Sequence, residues 1–271
     1  MARFRRLLLP LAALLVLTGC SAGKSSGLFS AIMPANTLRV GVVNDAPPLA
    51  YARDDNTPAG LEPLFAAGLA NAMNRRPELV MLPRAELFSA LRDKKIDIIM
   101  AGVTVAEAQR RKFGATVPYL ASGQTTLVRL GDYDRLGNGI RHLTVPTTRV
   151  GVVAGGVADA WLKGLRPKGA ISRFATAPEG VQALMQERID VFICSQTANY
   201  YYASLYIDKG LTPGNILLAR EELAWVVRTD DTGLREAANA YLAAIRQNGD
   251  LQRMLAQTIP FYQGTAYSPA P

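Results

Sequence analysis

Two short hydrophobic patterns each occur twice along the chain. The segment LRVGVV at residues 38–43 is repeated as TRVGVV at 148–153, and LRDKKIDIIMAG at 91–102 is repeated as LMQERIDVFICS at 184–195. Each half therefore opens with a buried strand, continues through a helix, a strand and a second helix, and reaches another apolar strand after an Ile-Asp pair. Continuous apolar strands that alternate with amphipathic helices are typical of a parallel sheet covered on both faces. The pattern predicts two similar α/β lobes.

The spacing of the other apolar residues predicts helices at 61–73, 85–91, 179–186 and 234–245. Residues 176–179, Thr-Ala-Pro-Glu, have the pattern of a capping box at a helix start. Two strand-like stretches, 124–130 and 224–228, flank the second lobe and are predicted to cross between the lobes. The tail at 230–262 is predicted to be helical and to return to the first lobe. Two lobes joined by two crossing strands can close like a hinge.

The N-terminus has the parts of a secretory signal. Three arginines precede an apolar run at 7–17, which is too short to span a membrane, and Leu-Thr-Gly-Cys follows at 17–20. This motif resembles the lipobox of bacterial lipoproteins, and the resemblance implies that Cys20 carries lipid and becomes the new N-terminus. An ordinary signal peptide with a chance cysteine is the alternative. Small polar residues at 21–27 predict a flexible tether.

Composition narrows the classes of function. The formal charge of +8 falls to about +5 once the signal arginines are removed, and the basic residues form no dense stripe, so nucleic-acid binding is not expected. Cys194 is the only cysteine besides Cys20, so the mature chain has no internal disulfide to make, and its apolar neighbours predict a small core residue. His142 is the single histidine, which argues against a His-rich metal site. No cofactor or metal is expected.

Six segments in a fixed order carry a family resemblance: LRVGVVNDAPPLAY, LFSALRDKKIDIIMAGVTV, PYLASGQTTLVR, RVGVVAGGVADAWL, VQALMQERIDVFI and YLAAIRQNGDLQRML. Over residues 38–262 the chain resembles the family-3 bacterial extracellular solute-binding proteins, which serve polar amino-acid ABC importers. The resemblance implies an α/β, two-lobed periplasmic-binding-protein fold of type II, with mostly parallel sheets flanked by helices and hinged by two crossover strands. The expected organisation is a signal peptide at 1–20, a tether at 21–36, lobe 1 at 37–126, lobe 2 at 127–223, a return to lobe 1 at 224–265 and a tail at 266–271.

Ligands of open α/β sheets bind beyond the carboxyl ends of the strands, where helix N-termini point free N–H groups outward. The corresponding junctions here lie at 44–45, 101–104, 154–157 and 194–196, and all are expected to line the cleft between the lobes. The candidate ligand-binding residues are Asn44, Asp45, Tyr51, Arg84, Gly102, Thr104, Gln109, Arg110, Gly155, Gly156, Ser195 and Gln196.

The resemblance also shows that the usual anchors of a zwitterionic amino acid are changed. The position of the arginine that grips the α-carboxylate is Gln109, and the position of the aspartate that holds the α-ammonium is Ser195. The two hydroxyl residues after Gly155 are replaced by Gly156 and Val157. A charge-assisted hydrogen bond contributes about 1.5–3 kcal/mol, so losing both charged anchors disfavours an ordinary amino acid held in the usual way.

Other groups are candidates to compensate. The backbone N–H groups of Gly155 and Gly156 can take an oxygen at a helix start. Arg84 stands where relatives usually carry a stacking aromatic, and Arg110 could take the role that Gln109 cannot fill. A structural role remains open for each candidate. Asn44 and Asp45 could form a strand-end turn, Tyr51 could pack in the core, Gln196 could start a helix, Arg84 and Arg110 could be solvated, and Thr104 could cap a helix.

Three classes of function follow. The leading one is a lipid-anchored, monomeric binding protein in the periplasm, or on the outer face of a single-membrane cell, that closes over a small polar solute such as an amino-acid derivative or organic acid. It would deliver that solute to an ABC permease. The second is a sensory or regulatory module acting on a protein partner. The third is a dehydratase-like enzyme, which needs a carboxylic general acid in the pocket. Glu86 and Asp45 are the only nearby candidates, so no enzymatic activity is expected.

Overall fold

The computed structural model describes residues 37–137, 141–165 and 168–262. The predicted signal peptide with Cys20, the tether at 21–36 and the tail at 266–271 lie outside these residues. The strands are β1 (Thr37–Val42), β2 (Asp45–Ala46), β3 (Ala50–Ala52), β4 (Pro58–Ala59), β5 (Arg76–Met81), β6 (Ile98–Thr104), β7 (Gly114–Ala115), β8 (Leu120–Arg129), β9 (Val150–Val153), β10 (Ile171–Phe174), β11 (Val191–Ser195), β12 (Leu211–Pro213) and β13 (Ala219–Val227).

The α-helices are α1 (Leu61–Ala72), α2 (Leu87–Arg92), α3 (Val105–Arg110), α4 (Val157–Leu165), α5 (Ala177–Met185), α6 (Gln196–Leu205), α7 (Thr232–Gln247) and α8 (Asp250–Thr258). Short 3-10 helices cover Arg84–Glu86, Leu130–Asp132, Arg141–Thr144 and Ile207–Lys209, and a π-helical turn covers Tyr133–Gly137. Within the described residues, no helix is both long and apolar enough to cross a membrane.

One mixed sheet runs through the molecule in the order β10-β9-β11-β8-β13-β6-β1-β5. Strand β1 pairs in parallel with β5 and β6, and β9 pairs in parallel with β10 and β11. Between these two parallel groups run β8 and β13, which are antiparallel to each other and to their outer neighbours β11 and β6. The fold is therefore the two-lobed α/β architecture that the sequence predicts.

The repeated sequence patterns have a structural counterpart. Strand β1, helix α1, β5, α2 and β6 follow one another in the first half, and β9, α4, β10, α5 and β11 do so in the second. The shared glycine of the RVGVV pattern has a packing reason. A Cβ on Gly41 would collide with the side chain of Ile96, and one on Gly151 would collide with Ile189. Each strand needs a glycine at this point because the isoleucine before the next parallel strand lies against its backbone.

The hydrophobic core divides along the same lines. One cluster joins side chains from β1, α1, α2 and β6 with others from β13, α7 and α8. Two further clusters lie on opposite faces of the β8–β11–β9 sheet, with Leu127 in one and its neighbour Val128 in the other. Cys194 is partly buried against the first of these two clusters. Helices α7 and α8 pack on the first half, in agreement with the prediction that the tail at 230–262 is helical and returns there. The residue bounds of the lobes remain a prediction.

Several local details differ from the sequence-based expectations. The helix predicted at 85–91 begins with a 3-10 turn, and α2 itself starts at Leu87. Both crossing strands are longer than predicted, since β8 starts at Leu120 and β13 at Ala219. Polar residues in the first part of each strand hid these extensions. A small antiparallel sheet, β2-β3-β4, was not predicted at all.

Candidate functional site

Two predicted site residues from different halves share one face of the central sheet. Thr104 lies opposite Leu223 across the β6–β13 ladder, and Ser195 lies opposite Gln124 across the β11–β8 ladder. Side chains directly opposite in an antiparallel ladder, or two apart on one strand, point to the same face. Glu221 is two residues before Leu223, and its carboxylate accepts a hydrogen bond from Gln124. A row of side chains thus runs from Thr104 across both crossing strands to Ser195.

Polar groups occupy the middle of this row. Gln124 Nε2 donates to Glu221 Oε2 at 3.0 Å, and Ser122 lies directly opposite Glu221 in the β8–β13 ladder. Among the described residues, Glu221 Oε1 and Ser122 Oγ are buried without a hydrogen-bond partner. Burial raises the pKa of Glu221 above its ordinary value, the hydrogen bond from Gln124 lowers it, and the negative charge of Glu107 raises it further. This pair of crossing strands therefore carries a desolvated carboxyl group with unused acceptor capacity.

The residue at the end of β6 is a helix cap. The Oγ1 of Thr104 accepts a hydrogen bond from the backbone N–H of Glu107 at 3.0 Å, which confirms the capping interpretation. The Glu107 side chain does not reach back to complete the capping box, because it pairs with Arg111 Nε at 3.1 Å. Arg111 also lies over the ring of Phe88 at 4.4 Å. A ligand-binding role for Thr104, in addition to the cap, stays a prediction.

Gly102 is anchored by a buried carboxylate that the sequence did not single out. Its backbone, at φ +61°, donates its N–H to Glu62 Oε1 at 2.8 Å. Tyr119 Oη donates to the same oxygen at 2.5 Å, and Trp225 Nε1 donates to Oε2 at 3.0 Å. Burial raises the pKa of Glu62 to about 7 against the opposing effects of these three donors and of Arg84. Glu62 thereby ties the Gly102 backbone of β6 to the residue before β8 and to β13.

The candidate cations lie at the surface of the first half. Arg84 is exposed, and its Nη2 donates to the carbonyl oxygen of Ala101 at 2.9 Å, which holds the guanidinium beside the 101–104 junction. Gln109 and Arg110 are exposed in the last turn of α3. The structure thus brings Arg84 to the predicted junction through a backbone hydrogen bond.

The glycine turn of the second half differs from expectation. The N–H of Gly155 donates to Asp159 Oδ2 at 3.1 Å, and that of Gly156 donates to the carbonyl of Val153 at 3.1 Å. Neither N–H group is free for a ligand oxygen in this conformation, because the Asp159 side chain folds back from α4 onto the turn. Asp159 is in turn held by Arg173 Nε at 2.9 Å. The two N–H groups are thus bonded within the chain in this conformation, and a ligand-binding role for Gly155 and Gly156 stays a prediction.

The start of α6 brings together the remaining second-half candidates. Ser195 is its N-cap, with Oγ accepting from the N–H of Ala198 at 3.4 Å. Gln196 does begin the helix, and its Nε2 donates to the hydroxyl of Tyr200 at 3.0 Å. One turn along, the ring of Tyr201 lies 5.9 Å from the ring of Tyr51. This contact links α6 of the second half to the β2–β3 hairpin of the first.

That hairpin also holds the remaining candidates. Asn44 and Asp45 are exposed at the end of β1, and the carbonyl of Asn44 accepts a hydrogen bond from the N–H of Ala52 at 3.0 Å. Asp45 pairs with Tyr51 across the hairpin. Asn44 lies in the bend after β1 and Asp45 begins β2, while Tyr51 packs against an aromatic ring. The ligand-binding roles of these three residues stay predictions.

A cavity of about 560 Å³ lies beside the crossing strands. Its walls come from the first residues of β8, one side of α6, the 207–215 segment and the residues after α8. Of the predicted site residues, Gln196 alone lines it. Within the described part of the chain, no cluster of histidine, cysteine and acidic side chains could hold a metal ion.

Sequence reasoning missed Ser122, Gln124 and Glu221 in the crossing strands, Glu62 in α1 and Tyr201 in α6. A signal was present for the first three. The polar segment SGQTT at 122–126 lies within β8, and Glu221 lies shortly before the apolar run LAWVV. These residues are close only because β8 pairs with β13, which is far away in the chain. A single sequence does not reveal that pairing.

Two parallel-sheet halves, joined by two antiparallel strands that carry a polar row between them, define a two-lobed solute-binding protein. Residues 38–260 match the model of the bacterial extracellular solute-binding proteins, family 3. The chain belongs to this family, and it is therefore an exported protein of the solute-binding class.

Individual relatives are distant. The chain is 25% identical over 228 residues to the L-cystine-binding protein TcyJ of Escherichia coli K12, with 84% of each chain covered. It is 24% identical over 183 residues to the cyclohexadienyl dehydratase of Pseudomonas aeruginosa, with 68% of this chain and 67% of that one covered. A putative ABC-transporter binding component from Wolinella succinogenes, solved with lysine, has a TM-score of 0.77 at 23% identity, covering 83% of this chain and 96% of the other.

Proposed function

We propose that this protein is a lipid-anchored receptor that closes over a small polar solute outside the cytoplasm and delivers it to an ABC importer. The observation that carries the proposal is the row of polar side chains on the two crossing strands, with Thr104 on the β6 side and Ser195 on the β11 side. A solute bound there would touch both halves and both hinge strands at once. Hinge closure over a ligand uses this arrangement.

The proposed solute is a polar amino acid or a derivative of one, held by groups other than the usual anchors. The names of the relatives point to cystine and lysine as ligands of those proteins. In this chain the carboxylate-binding arginine is replaced by Gln109, and Arg84 is the guanidinium held beside the Ala101 carbonyl. Arg84 would take an anionic end of the solute, with Thr104 nearby at the start of α3.

The proposed anchor is lipid on Cys20, by the lipobox motif in the sequence. Labelling cells with a radioactive fatty acid tests it. Label should be found on the wild-type protein and not on Cys20→Ala. Unlabelled wild-type protein would instead favour an ordinary signal peptide.

Neither of the two carboxylic acids that the sequence suggested for catalysis is placed as a general acid. The two carboxylic acids suggested by the sequence as acid catalysts, Asp45 and Glu86, are both exposed, and each lies on a turn or hairpin rather than in an enclosed pocket. A general acid needs a positioned, water-protected carboxyl group. A sensory role would use the same closing lobes and a protein partner in place of the permease.

A thermal-shift screen tests the proposed function. The purified full chain is melted with amino acids including L-cystine and L-lysine, dicarboxylates, opine-like conjugates, small peptides and polyamines. A ligand present at about 100 times its dissociation constant should add about 2.7 kcal/mol to the free energy of unfolding. A hit among amino-acid derivatives supports the proposal, whereas a complete absence of hits contradicts it and favours the sensory alternative.

A further inference from the structure

Glu221 occupies the centre of the β8–β13 ladder. Its carboxylate has one oxygen, Oε2, bonded to Gln124 and the other, Oε1, buried with no partner among the described residues. Directly across the ladder, Ser122 is 4% exposed and its hydroxyl also has no partner. Two unsatisfied polar side chains therefore lie side by side on the face that carries Thr104 and Ser195.

Such a pair is costly in a folded protein. Most buried polar groups have a hydrogen-bond partner, and an unsatisfied one costs about 1–3 kcal/mol, with more for a charged group. Leu223, the next residue of β13 on the same face, is buried and apolar, so this face also accommodates an apolar side chain. A buried acceptor kept at such a cost is suited to a donor that arrives from outside the chain.

The charges around Glu221 favour a cation as that donor. Apart from its burial, the groups that act on its carboxyl group are the neutral amide of Gln124 and the negative Glu107. Cys194, next to Ser195 on β11, carries a neutral thiol, because burial raises its pKa to about 11. No cationic side chain of the described residues pairs with Glu221. An incoming ammonium or guanidinium group would find a carboxylate oxygen and a hydroxyl, both acceptors.

We propose that Glu221, with Ser122 and Gln124, forms the subsite for a cationic group of the solute, an ammonium or a guanidinium. Glu221 Oε1 and Ser122 Oγ accept hydrogen bonds from this group, and Gln124 holds the other carboxylate oxygen in place. The carboxylate missing at Ser195 is thereby supplied from β13, two strands away across the sheet. The inference rests on the proposed function, since it assigns one end of the solute in the same cleft.

The proposal makes a prediction that needs no ligand. Glu221→Gln removes a buried, unpaired charge, and Ser122→Ala removes an unpaired hydroxyl. Both variants should therefore melt at or above the wild-type temperature when ligand-free, and the exposed-site control Glu222→Gln should melt with the wild type. A residue that held the hinge together would behave differently. A fall of several degrees in both variants would overturn the subsite and assign the two residues to hinge stability.

The second arm uses probes that lack one ammonium group of L-lysine or both ammonium groups of L-cystine. L-lysine is compared with norleucine and with 6-aminohexanoate, and L-cystine with 3,3′-dithiodipropionate, by calorimetry on wild type, Glu221→Gln and Glu222→Gln. Glu221→Gln should lower the affinity for the parent compound at least tenfold. The affinity for the analogue that lacks the bound ammonium should stay within about twofold of the wild-type value. Equal losses for parent and analogue would overturn the proposal. If the wild type binds none of these probes, the proposed amino-acid ligand fails, and the melting arm alone still decides the role of Glu221.

Discussion

Arg39 and Asp97 are joined by three hydrogen bonds, and the same three bonds join Arg149 to Asp190 in the other half. The backbone N–H and Nε of each arginine donate to Oδ2 of its aspartate, and Nη2 donates to Oδ1 at 2.6 Å in both pairs. The arginine is the second residue of the LRVGVV or TRVGVV pattern, and the aspartate belongs to the Ile-Asp pair of the second repeated pattern. Within each lobe, this contact therefore joins the first repeated pattern to the second.

A second arginine completes the contact in each half. Arg228 Nη1 donates to the carbonyls of Leu91 and Ile96, and Arg129 Nη1 donates to those of Leu184 and Ile189. Arg228 and Arg129 follow β13 and end β8, the two crossing strands. Each crossing strand is therefore fastened at its end to the loop between the second helix and third strand of one lobe.

Removing either aspartate should destabilise the protein to a similar extent. Asp97→Ala leaves Arg39 without its carboxylate, and Asp190→Ala does the same to Arg149, whereas Arg228 and Arg129 keep Asp231 and Asp132. We expect each change to cost about 1.5–3 kcal/mol in the free energy of unfolding. Urea denaturation at neutral pH measures it. Asp93→Ala, at an exposed loop position one turn before Asp97, is the control and should change little. A large loss in one half with none in the other would contradict the equivalence of the two contacts.

The stability of the protein should fall between pH 5 and pH 8 because of Glu62. Its folded pKa of about 7 lies above its ordinary value of 4.5, so the folded state binds the proton more tightly than the unfolded chain does. This contribution is fully present below pH 4.5 and is lost as the pH rises through 7. A shift of this size corresponds to about 3 kcal/mol. The contributions of Asp97 and Asp190, whose folded pKa values are lowered, are lost only in acid, below their ordinary 3.8.

Urea denaturation at several pH values isolates the Glu62 contribution. Glu62→Gln keeps the shape of the side chain and cannot ionise, so its stability should vary much less across this range. The exposed-site variant Glu86→Gln should follow the wild-type curve. Parallel curves for wild type and Glu62→Gln would show that Glu62 does not titrate here.

The two roles assigned to Thr104 can be separated by a second cap. Thr104 caps α3 at the end of β6, and Thr176 caps α5 with the same bond, from the N–H of Glu179. Replacing either threonine by alanine should cost about 1 kcal/mol of stability. Only Thr104→Ala should also lower the affinity for the solute found in the screen, by about tenfold. Thr104→Ser should restore both the stability and the affinity. Equal binding by the two alanine variants would leave Thr104 with its cap alone.

The sequence predicted what depends on local patterns and missed what depends on pairing between distant strands. Apolar runs and helical spacing located β1, β6, β9 and β11, because each is an uninterrupted buried segment. The cap at Thr104 was readable because its partner is three residues away. The link between Gln124 and Glu221 was not readable, since the two are 97 positions apart and meet only through the β8–β13 register. Likewise, the side chain of Asp159 fills the Gly155 turn by a rotamer that no pattern specifies.

The positive charge and the planar shape of the Arg84 side chain should both raise the affinity for anionic solutes. Arg84→Ala removes the guanidinium held beside Ala101 and should weaken a carboxylate-bearing solute by about 1.5–3 kcal/mol. Arg84→Lys keeps the charge without the planar fork and should show an intermediate loss. Lys112→Ala, an exposed cation beyond α3, is the control. Equal affinities of Arg84→Ala and Lys112→Ala, measured by calorimetry, would confine Arg84 to a surface role.

Closure of the two lobes should depend on the contact between Tyr51 and Tyr201. Their rings lie 5.9 Å apart and come from the β2–β3 hairpin and from α6, so the contact exists only while the two halves are close. An aromatic pair of this kind contributes about 1 kcal/mol, which corresponds to about a fivefold change in affinity. Tyr201→Ala should therefore bind the solute about fivefold more weakly, and Tyr201→Phe, which keeps the ring, should bind like the wild type.

Small-angle scattering tests the same closure directly. The chain should behave as a monomer whose radius of gyration falls when a tight ligand is added, because the crossing strands β8 and β13 let the halves rotate towards each other. Tyr201→Ala should be more expanded than the wild type without ligand and should compact when saturated, since the solute then supplies the contacts between the halves. A confirmed tight ligand that produces no compaction in either protein would mean that the halves do not move, and that binding occurs in a preformed cleft.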